Sequence, residues 1–210
     1  MSGNPADLRV VRTQRAIRSA LIALIEEKGF EAMSVKDITE RANINRGTFY
    51  SHYEDKFDLM DKCQQQLIEE MEIKIIRNIP QLIEGMKQIQ DFVVPVPLFE
   101  FLHDNKSLMK ALLGPKGDVG FQVKMKEFLS KALFERNKDV LLGSGNSLVP
   151  PRYLSAYIAS AHIGVIQQWL NGDTGEPPEE IARIISTMTI KGPFFAAGLT
   201  GGVQPEKPPR

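Results

Sequence analysis

Glycine and proline punctuate this chain, and the stretches between them carry a helical apolar period rather than an alternating one. Neither residue interrupts Asp7 to Lys28, where Ile17, Leu21, Leu24 and Ile25 recur on one face. Gly29 stands where a left-handed residue closes a helix, with Phe30 as the apolar return contact. Ser34-Val35-Lys36-Asp37 is a capping-box variant that opens a second, short helix ending near Ala42. Asn43 tolerates a positive φ and is expected in the turn, and Asn45 caps a third short helix through about His52. A long fourth helix is predicted from about Asp55 to Asn78, then one over Gln81 to Gln90, before the prolines at 95 and 97 interrupt. Short helices over Leu98 to Asp104 and Lys106 to Leu113 come next, and Asp118 caps one reaching about Leu142. Pro150-Pro151 open a helix ending at Asn171, and Pro177-Pro178 open the last one, with Glu179 and Glu180 at its positive end. Gly201 to Arg210 is proline-rich and expected to be a disordered tail. No strand pattern emerges, so the expected fold class is all-α.

Lysine plus arginine and aspartate plus glutamate both number 26, so no global field draws a polyanion to this chain. Any such partner must meet a local patch. Arg9, Arg12, Arg15 and Arg18 supply one, because no acid falls between Leu8 and Ile25. The single cysteine, Cys63, excludes an intramolecular disulfide and fits a reducing compartment; it reads as an inert thiol, with a thiol sensor as the alternative. No apolar run approaches the roughly 20 residues that span a bilayer, and the first residues lack a signal-peptide pattern. A soluble, cytoplasmic protein without a membrane partner is expected. The three histidines sit in no HExxH or zinc-ligand spacing, and neither a phosphate-cradling glycine loop nor a nucleophile elbow occurs. No catalytic residue, metal or cofactor is therefore expected.

The second and third helices, joined by Ala42-Asn43-Ile44-Asn45, form a helix-turn-helix candidate. One short helix fits a DNA major groove when a brace sets its angle. Val35, Ile38, Ala42, Ile44 and Phe49 can pack beneath the first helix, leaving Arg46, Thr48, Ser51 and His52 outward. Tyr50, Ser51, His52 and Tyr53 offer donors to phosphate oxygens. Lys56 starts the fourth helix, where its charge and the free amides can share one phosphate. Arg12 and Arg15 are better placed than Arg9 and Arg18 to reach a duplex backbone.

At these residues a resemblance is visible. Thr13-x-Arg15-x-Ile17, Glu27-Lys28-Gly29-Phe30, Ser34-Val-Lys-Asp-Ile38 and Arg46-Gly-Thr-Phe-Tyr50-Ser-His52-Tyr53-x-x-Lys56-x-x-Leu59 resemble the DNA-binding domain of TetR-family transcriptional regulators. The likeness covers about Leu8 to Leu59. Asn43 replaces the usual turn glycine, Asn45 the usual serine, Thr39 the usual alanine and Tyr53 the usual phenylalanine. The segments Phe101-Leu-x-x-Asn105-Lys-x-Leu108-Met and Trp169-Leu-Asn-Gly172 to Ala182 resemble the Firmicutes-type C-terminal domain of such regulators. The resemblance implies a helix-turn-helix DNA-binding domain in residues 1–54 and a helical effector-binding and dimerisation domain in 55–200, with 201–210 as the tail. It implies a homodimeric repressor, paired through the last two long helices and released from palindromic double-stranded DNA by a small-molecule effector. Carried across, Tyr50, His52 and Lys56 match phosphate-contacting positions, and Ser34 matches the cap that touches phosphate. Arg46 and Thr48, with Asn45 and Ser51, match base-facing positions. His103, Phe128, His162 and Trp169 are candidate effector-pocket residues, against the plainer reading of packed side chains. The alternative function is a co-activator or protein-interaction module without strong DNA binding of its own.

Overall fold

The computed structural model describes residues 5–74, 94–132, 148–172 and 175–199. Among the described residues every regular element is a helix: α1 (Pro5–Lys28), α2 (Val35–Arg41), α3 (Arg46–Tyr50), α4 (Lys56–Lys74), α5 (Val96–Asp104), α6 (Lys106–Leu113), α7 (Val119–Ser130), α8 (Pro151–Asn171), α9 (Pro178–Lys191) and α10 (Pro193–Ala196). None is long and apolar enough to cross a membrane.

Local chemistry sets the N-terminal boundaries. α1 buries Ile17, Leu21, Leu24 and Ile25 and stops at Gly29, whose φ of +83° suits a residue without Cβ. Ser34 Oγ accepts from Asp37 N at 3.2 Å while Asp37 Oδ2 accepts from Ser34 N at 2.8 Å, the reciprocal capping box. Asn43 adopts φ +52°, and Asn45 Oδ1 accepts from Thr48 N at 2.7 Å to start α3. α3 ends at Tyr50, with Ser51 as its cap, slightly short of the predicted His52. Ile38 and Phe49 are fully buried, and Val35, Ala42 and Ile44 are half-buried against the same cluster.

In the C-terminal half the prolines begin a helix where interruption was expected. Pro95 is the N-cap of α5 and Pro97 lies in its first turn, so the helix starts at Val96. Amides in the first turn lack intrahelical partners, and their absence costs nothing. α8 and α9 start at Pro151 and Pro178 as expected, and the short α10 follows Gly192 (φ +84°) without sequence warning. The predicted end of the fourth helix at Asn78, the helix over Gln81 to Gln90, the extension of α7 to Leu142 and the tail Gly201 to Arg210 lie outside the described residues. α8 packs on α6, α7 and α9, and α9 packs on α5. Phe99, Leu102, Met109 and Phe121 are fully buried, each stabilising by roughly 1.5–3 kcal/mol over exposure. One continuous apolar cluster joins Ile17 of α1 to Ile185 of α9.

Polar ties reinforce that junction. Lys116 Nζ donates to the carbonyls of Glu26 (2.9 Å) and Glu27 (3.3 Å), capping the end of α1, and its own carbonyl accepts from Phe30 N at 3.2 Å. Next to it, a Cβ at Gly117 would collide with the carbonyls of Ala111 and Leu112. Buried Gln64 of α4 donates to Asp118 Oδ2 at 2.8 Å and accepts from Lys124 Nζ at 3.0 Å. Asp118 is also the N-cap of α7, so α4 and α7 are linked through a satisfied buried amide.

Candidate DNA interface

α3 has only five residues, too few to persist alone, so Phe49 and the two caps hold it. Around buried Phe49 the helix presents its polar side chains. Arg46 is exposed and forms no ion pair with a described residue. Tyr50 is 55% exposed, its ring standing edge-on to Phe49 at 5.5 Å. Thr48 is half-buried, and exposed Ser51 donates to Thr48 O at 2.7 Å, which leaves its oxygen free to accept. The Asn45 oxygen caps α3, so its amide donors face outward contacts.

Three other predicted contacts sit differently. Ser34 is exposed, yet its hydroxyl donates to Asp37 Oδ2 at 2.7 Å. Lys28, 2.8 Å from Asp37, and then Ser34 hold that carboxyl well below the usual carboxylate range, so the cap is firmly ionised. Lys56 corrects the expectation of a shared phosphate. Its ammonium donates to the carbonyls of Phe30 (3.1 Å), Glu31 (2.9 Å) and Met33 (3.0 Å) and lies 5.0 Å and 5.2 Å from the ring centres of Phe30 and Phe57. An ammonium has three protons, and all are engaged. The first amides of α4 are also occupied: Phe57 N and Asp58 N both donate to Asp55 Oδ1 at 2.8 Å. A carboxylate thus already fills the place proposed for the phosphate. Asp55 was legible as a cap ahead of Lys56, whereas the three converging carbonyls were not.

His52 is half-buried, with its ring 6.2 Å from Tyr53 and its carbonyl accepting from Lys62 Nζ at 3.3 Å. Its side chain lines a cleft between α1 and α4 together with Arg15 and Arg18. Arg12 is exposed on α1.

None of the cavities formed by the described residues is lined by all four candidate effector residues. His103 is exposed in the last turn of α5, where it lines a shallow cleft with Arg15, Arg18 and Asp104 while its ring lies 6.2 Å from that of Trp169. Phe128 is a packed core residue. Trp169 is buried edge-on to Phe99 at 6.1 Å, and its Nε1 donates to Glu176 O at 2.9 Å, so its polar edge is satisfied within the fold. His162 is 5% exposed, and burial pushes its pKa down to about 4. Its Nε2 lies 2.9 Å from Thr189 Oγ1, whose proton goes to Ile185 O, so the neutral imidazole donates. Alone of the four it borders an apolar concavity of about 200 Å³, with Tyr157, Val165, Met188 and Pro193 on α8, α9 and α10.

A short helix, braced at an angle by two others and offering guanidinium, amide and hydroxyl groups, defines the helix-turn-helix class of DNA-binding proteins. Residues 17–63 match the bacterial regulatory proteins of the tetR family, and residues 94–191 match a transcriptional regulator C-terminal region. The uncharacterized HTH-type transcriptional regulator YxbF of Bacillus subtilis (strain 168) is 23% identical over 185 residues, 85% of this chain and 45% of that protein. The chain spans less than half the length of the curated relatives it matches. Among solved structures, a TetR transcriptional regulator from Streptococcus agalactiae 2603V superposes with a TM-score of 0.61 at 22% identity, over 88% of this chain and 97% of that one. FadR from Bacillus subtilis, solved in complex with stearoyl-CoA, shares the fold at a TM-score of 0.56 and 15% identity, over 85% of this chain and 98% of that one. The chain belongs to the TetR family.

Proposed function

We propose that the protein is a cytoplasmic, non-enzymatic, homodimeric repressor that leaves a palindromic operator when a small molecule binds. The observation that carries this reading is α3, with Arg46 unpaired beside Asn45, Thr48 and Tyr50. Arg46, Thr48, Asn45 and, as an acceptor, Ser51 are assigned to base edges, Tyr50 to a phosphate, and Arg12 and Arg15 to the flanking backbone. Lys56 and Ser34 support the head through their own hydrogen bonds, and Ser34 reaches a phosphate only by giving up its bond to Asp37.

Dimerisation is assigned to α8 and α9. Tyr153 and Tyr157 are each 60% exposed there, Val165 and Met188 are half-buried, and α10 adds Phe194 at 74% exposure. A Cβ at Gly164 would meet nothing within 4 Å, so the monomer does not require glycine at that exposed position; close approach of a second α8 would. Such an apolar face marks a protein contact. Residues 1–54 then act as reading head, and the later helices as the effector-binding and dimerising body. A partly apolar effector is proposed, because Met109, Phe121, Met125 and Phe128 fill the body and FadR of the same fold holds stearoyl-CoA. The Gln64–Asp118 bond and the Lys116 cap would carry a shift in the body to α4 and α1, changing the separation of the two heads from one helical turn of about 34 Å.

The test is a binding titration with operator-bearing and random duplexes at two salt concentrations. Expected are at least about thousandfold preference for the operator and a linear fall of log affinity with log salt. Absence of duplex binding at low salt would overturn the reading.

A further inference from the structure

Apart from the polar face of α3, a cleft of about 600 Å³ lies between α1 and the first half of α4. Its walls carry Arg15 and Arg18 from α1, His52 and Tyr53 from the α3–α4 loop, and Lys62 and Cys63 from α4. Among the described residues no carboxylate lines it. Asp58 compensates Lys62 at 2.8 Å, but the two guanidiniums have no such partner. Arg15 pairs with no described residue, and Arg18 has only the neutral Asn105 Oδ1 at 3.4 Å. Two like charges one helical turn apart on α1 repel each other, and no described carboxylate pairs with either. The adjoining cleft of about 360 Å³, on the other side of the same arginines, includes Asp104 and is the poorer anion site.

We propose that the α1–α4 cleft binds a small phosphate-bearing molecule, its dianion held between Arg15 and Arg18 with His52 and Tyr53 as further donors. Guanidinium and phosphate match in geometry as well as charge. The occupant would tie α1 to the loop that connects α3 to α4, so it would set the pose of the reading helix from within the head. This site is separate from the effector site assigned to the body above. Exposed Arg15 at the mouth could also meet a DNA backbone, but the inner part of the cleft favours a detached group: Cys63 is 5% exposed, and Arg18 and Tyr53 are half-buried.

Calorimetric titration of the full chain with inorganic pyrophosphate, against sodium chloride of equal ionic strength, tests this. Saturable binding is expected, about tenfold weaker in Arg15→Gln and in Arg18→Gln and unchanged in Lys110→Gln, an exposed charge elsewhere. No saturable binding beyond the chloride control, or binding that survives both arginine substitutions, overturns the proposal. If those substitutions weaken random-duplex binding while pyrophosphate does not bind, the phosphate is the DNA's own; the cleft proposal falls and the regulator reading stands. Arginine-dependent pyrophosphate binding by a protein that ignores every duplex would keep the cleft site and remove the operator reading.

Discussion

α3 shows the solvent Arg46 and Tyr50 among polar neighbours, whereas α8 and α9 show it Tyr153 and Tyr157 beside Val165 and Met188, around an apolar concavity. The two faces leave different debts to water. An unpaired guanidinium stays hydrated in the free protein and exchanges counterions for phosphates on binding, so its contact is reversible and set by salt. Apolar area costs about 25 cal/mol per Å² while it remains wet, so the second face favours a standing protein partner. A regulator needs both behaviours: a pairing that persists and a grip that releases.

Tyr157→Glu strikes the second face. It should produce a monomer in sedimentation velocity and lower operator affinity by more than about a hundredfold, because two linked half-sites become two weak ones. A Tyr157→Glu protein that stays dimeric and holds its operator would break the comparison at that end.

Lys56→Met removes three charge-assisted hydrogen bonds inside the head. It should lower unfolding stability by about 2–3 kcal/mol in a denaturant titration and leave the salt slope of random-duplex binding unchanged. A slope smaller by about one with stability intact would return Lys56 to the DNA face.

His162, beside the apolar face, sharpens the comparison through pH. The unfolded imidazole takes its proton near 6.5 and the folded one only near about 4. The unfolded state therefore binds more protons in that window, and stability falls as pH drops through it. About 2 kcal/mol should be lost between pH 6.5 and 5, at 1.36 kcal/mol per unit. Denaturation of wild type and His162→Gln at pH 7 and pH 5 reads this directly; an identical difference at both values would show that His162 is not kept neutral by the fold.

Arg46→Ala should cost about 1–2 kcal/mol on the operator and relax the preference at one base position, leaving random-duplex affinity nearly as it was. Uniform loss across sequences would make Arg46 a phosphate contact. Ser34→Ala has the smallest expected effect, about 1 kcal/mol of stability through the lost cap.

Features that act within one turn were legible from the residues alone. Gly29, Ser34, Asn43 and Asn45 did what their side chains and φ preferences imply, and Pro151 and Pro178 opened their helices. A residue that suits two roles does not settle its own outcome. Pro95 and Pro97 can stop a helix or begin one, and only the chain that follows decides between them. His103 and His162 show no difference in type; one is exposed at a helix end, and the other is buried against Thr189.

The order of helices, the capped α2–turn–α3 unit and its outward arginine were thus determined by the sequence, because capping, helical period and turn chemistry operate between neighbours. Tertiary structure alone decided that Lys56 locks the loop after α1, that Gln64 meets Asp118, and that Arg15 and Arg18 line the same cleft as Lys62. Those partners are 23 to 26 and 54 residues apart in the first two cases, and their meeting depends on how whole helices pack. No local pattern carries that distance.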